Sequence, residues 1–191
     1  MNTPNKLTVL RICMTPVFMA AMLIDFPHHY LVALVLFAAA SITDLIDGKM
    51  ARKYNLITDF GKFLDPLADK MLTTAAFLAF IHLGIGNGIT WITFIVLIRE
   101  FLITSLRLIS SGKGKVIAAN IWGKAKTVSQ MSAIIYVIAS QYLLSVINAG
   151  DVIVNICNII TNVVLWASAL LTIISGVVYV KQNKDFIDPK K

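Results

Sequence analysis

Charged residues are scarce in this chain: Asp, Glu, Lys and Arg make up 14% of its 191 residues, whereas hydrophobic residues make up 58%. So little charge does not fit the surface of a water-soluble globular protein. The composition predicts one membrane-embedded domain over residues 1–191, which leaves no room for a second domain.

Cysteine is equally scarce, with Cys13 and Cys157 each alone in an apolar segment. A disulfide or zinc site lacks the partners it would need, so packing in the core is the expected role of both thiols. There is no Walker A sequence, because Gly123 and Lys124 lack the upstream glycine. No basic patch lies outside the membrane ends, which argues against binding to nucleic acid.

Long apolar runs fill the chain instead. A membrane-spanning helix needs about 20 apolar residues, and six segments qualify: 7–24, 30–50, 64–83, 89–109, 121–147 and 152–180. We therefore predict an all-α integral membrane protein with six transmembrane helices. The first segment could instead be a signal peptide, but Arg11 and Pro16 interrupt it and no small-residue cleavage site follows.

Positive charge is missing from three of the connections. None of the 17 Lys and Arg residues lies in 25–29, 84–88 or 145–151. By the positive-inside rule, the basic connections and both termini face the cytoplasm of a multi-pass protein in the cell membrane. The net charge of +7 then serves topology and attraction to anionic membrane lipid.

Four carboxylates lie at helical spacing near the same cytoplasmic boundary, and we call them the signature carboxylates: Asp44, Asp47, Asp65 and Asp69. Spacings of three and four residues place each pair on one helix face. A carboxylate in hydrocarbon costs several kcal/mol unless it is paired or metal-bound, so the group predicts a functional site. Oxygen ligands favour Mg²⁺ or Mn²⁺ over Zn²⁺, and a divalent ion among them can grip a pyrophosphate.

The residues beside these carboxylates permit two interpretations. Gly48 and Ala51 let a ligand approach the helix backbone, or they allow tight packing between helices. Arg52 offers a planar cation to phosphate, or it is an ordinary charge at a cytoplasmic helix end.

The complete pattern is Asp44-x-x-Asp47-Gly48-x-x-Ala51-Arg52, eight residues, then Gly61-x-x-x-Asp65-x-x-x-Asp69. It resembles the signature of the CDP-alcohol phosphatidyltransferase family at every position. The resemblance implies a six-helix membrane fold, a homodimer, and transfer of a phosphoalcohol from a CDP-linked donor to an acceptor hydroxyl with release of CMP.

The resemblance also implies roles for single residues. The signature carboxylates would hold divalent metal, two ions of Mg²⁺ or Mn²⁺, and Asp69 would also be the general base for the acceptor hydroxyl. The cytidine diphosphate site would be lined by Gly48, Ala51, Arg52 and Gly61. The chemistry agrees, because attack on a pyrophosphate needs a neutralised leaving group, an oriented nucleophile and a proton acceptor.

Three further stretches, 1–11, 98–107 and 123–130, resemble the bacterial branch of this family. The resemblance spans residue 1 to about 130, and the last helices match in hydropathy alone. It implies CDP-diacylglycerol as donor, sn-glycerol 3-phosphate as acceptor and phosphatidylglycerophosphate as product.

An anionic acceptor requires cations, and the candidates are Arg99, Arg107, Lys124 and Lys126. Glu100 lies seven residues before Arg107, hence on nearly the same stripe, and we expect it to orient that side chain. Alternatively, Glu100 belongs to an ion pair that fixes helix packing. Because they lie at a cytoplasmic helix end, Lys124 and Lys126 could also be topology signals.

Two other functions stay open. The sequence from Leu64 to Asp69 also resembles that of cardiolipin synthases, whose acceptor is phosphatidylglycerol. An ion or proton transporter would also carry carboxylates in membrane helices. A transporter needs a polar path to the far side, however, and this cluster stays near one face while Asp25 and Asp151 lie in loops.

Overall fold

The structure is a computed structural model that describes residues 3–53, 59–112, 121–147 and 149–183, with backbone alone at 3–4, 45–53, 59–63, 65–66, 69 and 111–112. These ranges form six helices and contain no strand. The helices are α1 Thr3–Leu23, α2 His29–Lys53, α3 Asp59–His82, α4 Ile89–Gly112, α5 Ile121–Val146 and α6 Asp151–Gln182. The predicted all-α class is confirmed, and each predicted segment falls on one helix.

Several of the described helices have the length and the apolar composition of membrane-spanning helices. Three are long and apolar enough to cross a bilayer: Asn5–Leu23 of α1, together with α5 and α6. The apolar parts of α2 and α3 within the described residues are shorter, at His29–Asp44 and Lys70–His82. The chain is therefore an integral membrane protein by length and composition.

The helices divide between two compact units. Unit 1 comprises Met1–Ile85 and Ile134–Cys157, and unit 2 comprises Gly86–Ala133 and Asn158–Lys191. In unit 1, α1 packs against both α2 and α3.

Three contacts show that α1 and α2 are antiparallel. An ion pair lies near the middle of α1, two rings 5.6 Å apart lie further along it, and a 3.2 Å hydrogen bond lies near its end. The partners are, in that order, Arg11 with Asp44, Phe18 with Phe37, and the Ala21 carbonyl with His29 Nδ1. The beginning of α1 and the end of α2 therefore share one end of unit 1.

In unit 2, α4 and α6 run parallel. Contacts advance together along both helices, from Asn87 with Trp166 (3.0 Å) through Arg99 with Ser175 (2.7 Å) to Arg107 with Tyr179 (3.1 Å). The connection before α4 turns sharply, with φ of +91° at Gly86 and +73° at Gly88. Glycine suits both positions because a side chain disfavours positive φ.

The expectation that both thiols pack in the core is wrong for Cys13. Cys13 is exposed and Cys157 is half-buried, and both are free cysteines. The buried face of α1 repeats every three or four residues, so Cys13 falls on the opposite side of the helix. That face includes Thr8, Arg11, Thr15, Phe18 and Met22.

Candidate active site

The signature lies on the last turns of α2 and the first turns of α3. Asp44 to Arg52 occupy the end of α2, and Gly61 to Asp69 occupy the beginning of α3. Because both helices pack on α1, the backbone brings the two halves of the signature to one three-helix unit. For seven signature residues the structure describes the backbone alone: Asp47, Gly48, Ala51, Arg52, Gly61, Asp65 and Asp69.

Asp44 is the signature carboxylate whose side chain the structure describes. It forms an ion pair with Arg11 of α1, and the side chains are 40% and 4% exposed, respectively. A buried guanidinium in an apolar helix requires a counter-charge, and Asp44 supplies it. The pair ties the first signature residue to α1. Sequence reasoning took Arg11 only as an interruption and a topology charge.

Three of the four predicted metal ligands, Asp47, Asp65 and Asp69, have side chains outside the described part of the molecule. Among the described ones, no group of three or more His, Cys, Asp or Glu could hold a metal. Asp44 does present carboxylate oxygen on the half-exposed part of α2, and such oxygen suits a hard divalent cation. This donor chemistry fits the predicted metal.

A second polar group lies in unit 2, and we call it the Glu100 cluster. It consists of the charged residues Arg99, Glu100 and Lys126 and the hydroxyl residue Ser175. Arg99 Nη1 lies 3.1 Å from Glu100 Oε1, and Lys126 Nζ contacts the same oxygen. Ser175 Oγ of α6 accepts a 2.7 Å hydrogen bond from Arg99 Nη2. The side chains of Arg99, Glu100 and Lys126 are 11%, 15% and 7% exposed. Among the described residues, two cations share one carboxylate, so these side chains together carry one net positive charge in a largely buried place.

Arg107 has a different partner from the one that its spacing predicts. Its Nε donates to Tyr179 Oη over 3.1 Å, and its Cζ lies 5.6 Å from the centre of the same ring. The expectation that Glu100 orients Arg107 is therefore wrong. Seven residues place the two side chains on one stripe but about 10 Å apart along the axis, and Tyr179 is nearer.

The two lysines at the start of α5 face different ways. Lys126 is buried against Glu100, whereas Lys124 is exposed. Residues two apart on a helix do not share a face. The structure thus brings Lys126 and Arg99 together through Glu100, and it leaves Lys124 and Arg107 exposed.

The helix α6 contributes polar groups that sequence reasoning missed. A buried stripe of hydroxyl side chains runs along it at spacings of four, three and four residues: Ser168, Thr172, Ser175 and Tyr179. Gln130 of α5, which is 2% exposed, donates to Thr172 Oγ1 over 3.0 Å. The stripe was visible in the sequence as a helical repeat of small polar residues inside an apolar segment.

Comparison with known proteins identifies the family. The model of the CDP-alcohol phosphatidyltransferase family matches residues 1–174. The likeness therefore extends past residue 130, where the sequence resemblance was expected to end. Members of this family generally depend on a divalent metal ion.

Individual relatives cover nearly the whole chain. The chain is 36% identical over 194 residues to a CDP-diacylglycerol–glycerol-3-phosphate 3-phosphatidyltransferase of Bacillus subtilis (strain 168), with 95% of each chain covered. It is 36% identical over 186 residues to the Rickettsia bellii protein of the same name, with 97% of each covered. It is 40% identical over 182 residues to a probable phosphatidylglycerophosphate synthase of Mycobacterium tuberculosis (strain ATCC 25618 / H37Rv), which covers 94% of this chain and 80% of the relative.

The Glu100 cluster generates a stability prediction. Glu100→Gln removes the carboxylate charge that Arg99 and Lys126 share, and we expect it to cost about 3 to 5 kcal/mol. Lys126→Met should cost less, because Arg99 and Glu100 remain paired. Exposed Lys124→Met is the matched control and should have no effect. Thermal unfolding of the purified protein in detergent makes the comparison, and a Glu100→Gln protein as stable as Lys126→Met would contradict it.

Proposed function

The chain belongs to the CDP-alcohol phosphatidyltransferase family, and on that premise we propose that it transfers the phosphatidyl group of CDP-diacylglycerol to sn-glycerol 3-phosphate. The products are phosphatidylglycerophosphate and CMP. The observation that carries the proposal is the signature, in which all eight specified positions from Asp44 to Asp69 are filled. The relatives from Bacillus subtilis and Rickettsia bellii are named for this donor and this acceptor.

In the donor site, we assign metal binding to the signature carboxylates at the end of α2 and the beginning of α3. Two divalent ions, Mg²⁺ or Mn²⁺, would supply charge neutralisation of the pyrophosphate. Arg11 holds Asp44 in place through their ion pair. The cytidine diphosphate is bound by Gly48, Ala51, Arg52 and Gly61.

The reaction is an in-line displacement at the phosphatidyl phosphorus. Asp69 accepts the proton of the acceptor hydroxyl while that oxygen forms its bond to phosphorus. The bond from phosphorus to the bridging oxygen breaks, and CMP leaves with the electron pair. The signature carboxylates that do not take up the proton keep their charge, so the acceptor side of the site stays polar. The lipid tails of the donor stay in the bilayer.

For the acceptor, we assign phosphate binding to Arg107, with Lys124, Lys126 and Arg99 in support. All four belong to unit 2, on α4 and α5. The excess positive charge of the Glu100 cluster and the exposed guanidinium of Arg107 suit a small dianion. A guanidinium binds phosphate through two parallel hydrogen bonds.

We further propose that residues 1–191 act as one catalytic domain in the cell membrane, as a homodimer, with both termini and the active site cytoplasmic. The absence of Lys and Arg from three connections supports this orientation. The antiparallel contacts between α1 and α2 support it too, because they place the N-terminal end of α1 beside the signature end of α2.

Loss of a signature carboxylate tests the donor site. Asp44→Asn, Asp47→Asn and Asp65→Asn should each abolish activity in an inserted protein, because each removes a metal-binding charge. Asp69→Asn should retain CDP-diacylglycerol binding and lose turnover, since a general base acts on the acceptor. Release of CMP is measured with chelator and after return of Mg²⁺ or Mn²⁺, with Asp151→Asn as the control. Full activity in metal-free buffer would end the metal assignment.

Kinetics with each substrate varied separately test the acceptor. Arg107→Gln should raise KM for glycerol 3-phosphate far more than KM for CDP-diacylglycerol, because a neutral amide cannot replace a charge-assisted pair of bonds. Arg107→Lys should recover part of the loss, and plain glycerol should be a poor acceptor for the unaltered protein. A preference for phosphatidylglycerol would replace this function with that of a cardiolipin synthase.

Labelling of introduced cysteines in intact cells tests the orientation. In a chain carrying Cys13→Ser and Cys157→Ser, a membrane-impermeant maleimide should label Asn87→Cys and Asp151→Cys. It should label Lys53→Cys only after the membrane is permeabilised. Labelling of Lys53→Cys from outside would invert the topology.

A further inference from the structure

We propose that Tyr179 of α6 is a positioning residue that decides which edge of the Arg107 guanidinium meets the acceptor phosphate. The inference rests on the proposed function and deepens it, because it assigns the last helix a part in acceptor binding. No signature position lies on that helix.

The Tyr179 ring is held rigidly. It is 1% exposed and packs with buried Ile103 and Leu106 of α4, with Val180 against the same group. A ring enclosed in this way has few rotamers open to it, because a packed interior tolerates little movement. Its hydroxyl oxygen is therefore a fixed acceptor at the boundary between the buried core of unit 2 and the exposed side chain of Arg107.

The contact uses one particular donor of the guanidinium. Of the five N–H groups of an arginine, the one on Nε is directed at Tyr179 Oη over 3.1 Å. The four on Nη1 and Nη2 make no hydrogen bond to any residue that the structure describes. With Nε occupied, the pair of Nη atoms is the edge that remains for two parallel bonds to a phosphate.

The chemistry of the partner matters as much as its position. A carboxylate partner, such as the Glu100 that holds Arg99 and Lys126, would neutralise the cation that it orients. A tyrosine hydroxyl orients Arg107 and leaves its full positive charge for the ligand. The ring face adds attraction for the cation at 5.6 Å, which needs no counter-charge.

Removal of the hydroxyl alone tests the inference. Tyr179→Phe keeps the ring and its packing, so we expect KM for glycerol 3-phosphate to rise about tenfold, as for the loss of one hydrogen bond to a charged group. The kcat and the KM for CDP-diacylglycerol should change less than about twofold, since we assign Tyr179 no contact with the reacting atoms or the donor. Tyr136→Phe is the matched control: this half-buried tyrosine of α5 makes no hydrogen bond among the described residues, and its loss should leave both KM values unchanged.

A second background separates positioning from a general structural effect. Lysine has no Nε–H fork to orient, so in Arg107→Lys protein the further change Tyr179→Phe should leave KM for glycerol 3-phosphate unaltered. An equal loss in both backgrounds, an equal rise in KM for the two substrates, or a Tyr179→Phe protein that does not fold would overturn the inference.

The unaltered protein distinguishes the two levels of failure. If it forms no phosphatidylglycerophosphate from CDP-diacylglycerol and glycerol 3-phosphate, the proposed function fails and the inference with it. If it forms that product and Tyr179→Phe has the kinetics of the unaltered protein, the positioning role alone fails.

Discussion

Charge that enters a membrane helix must find an opposite charge or a hydrogen-bond partner, and both units are organised around that requirement. In unit 1 the buried Arg11 meets Asp44, so the first signature residue is fixed to a neighbouring helix. In unit 2 a single carboxylate, Glu100, holds two cations from α4 and α5. Further buried polar side chains lie beside each ion pair, among them Thr8 and Thr15 on α1 and Ser175 on α6. The polar contacts therefore determine which helix faces meet, because lipid tails compete with apolar side chains on nearly equal terms.

The chemistry that we propose is divided along the chain. Every residue assigned to the metal and to the nucleotide lies in the part of unit 1 that precedes residue 86, and every residue assigned to the acceptor phosphate lies in unit 2. The two sets also differ in the sign of their net charge. The donor residues gather negative charge that a divalent ion must offset, whereas the Glu100 cluster leaves positive charge in excess. Such opposite balances suit a metal-bound pyrophosphate and a free phosphate, respectively.

Much of the architecture could be predicted from sequence because apolar length alone specifies a spanning helix. The signature could also be recognised from the sequence, because carboxylates at helical spacing in an apolar chain have few structural explanations. The sequence did not reveal which side chains contact each other. Spacing put Glu100 and Arg107 on one stripe, but only packing reveals that Tyr179, 72 residues further along the chain, is the nearer partner. Cys13 failed for a related reason: in a helix that is apolar all round, hydropathy does not reveal the buried face, which here includes Thr8, Arg11 and Thr15.

The hydroxyl stripe of α6 bears on how this helix enters the bilayer. Thr172 Oγ1 donates to the Ser168 carbonyl over 2.7 Å, and Ser168 Oγ donates to the Leu165 carbonyl over 2.8 Å. Both hydroxyl protons are thus satisfied within α6, so these two side chains add little desolvation penalty when the helix enters hydrocarbon. The oxygen lone pairs remain available, and one of them later accepts the Gln130 amide of α5. During insertion these side chains are hydrogen-bonded within the helix, and during assembly the same oxygens accept hydrogen bonds from a neighbouring helix. The helix can therefore cross the membrane first and pack against its neighbours afterwards.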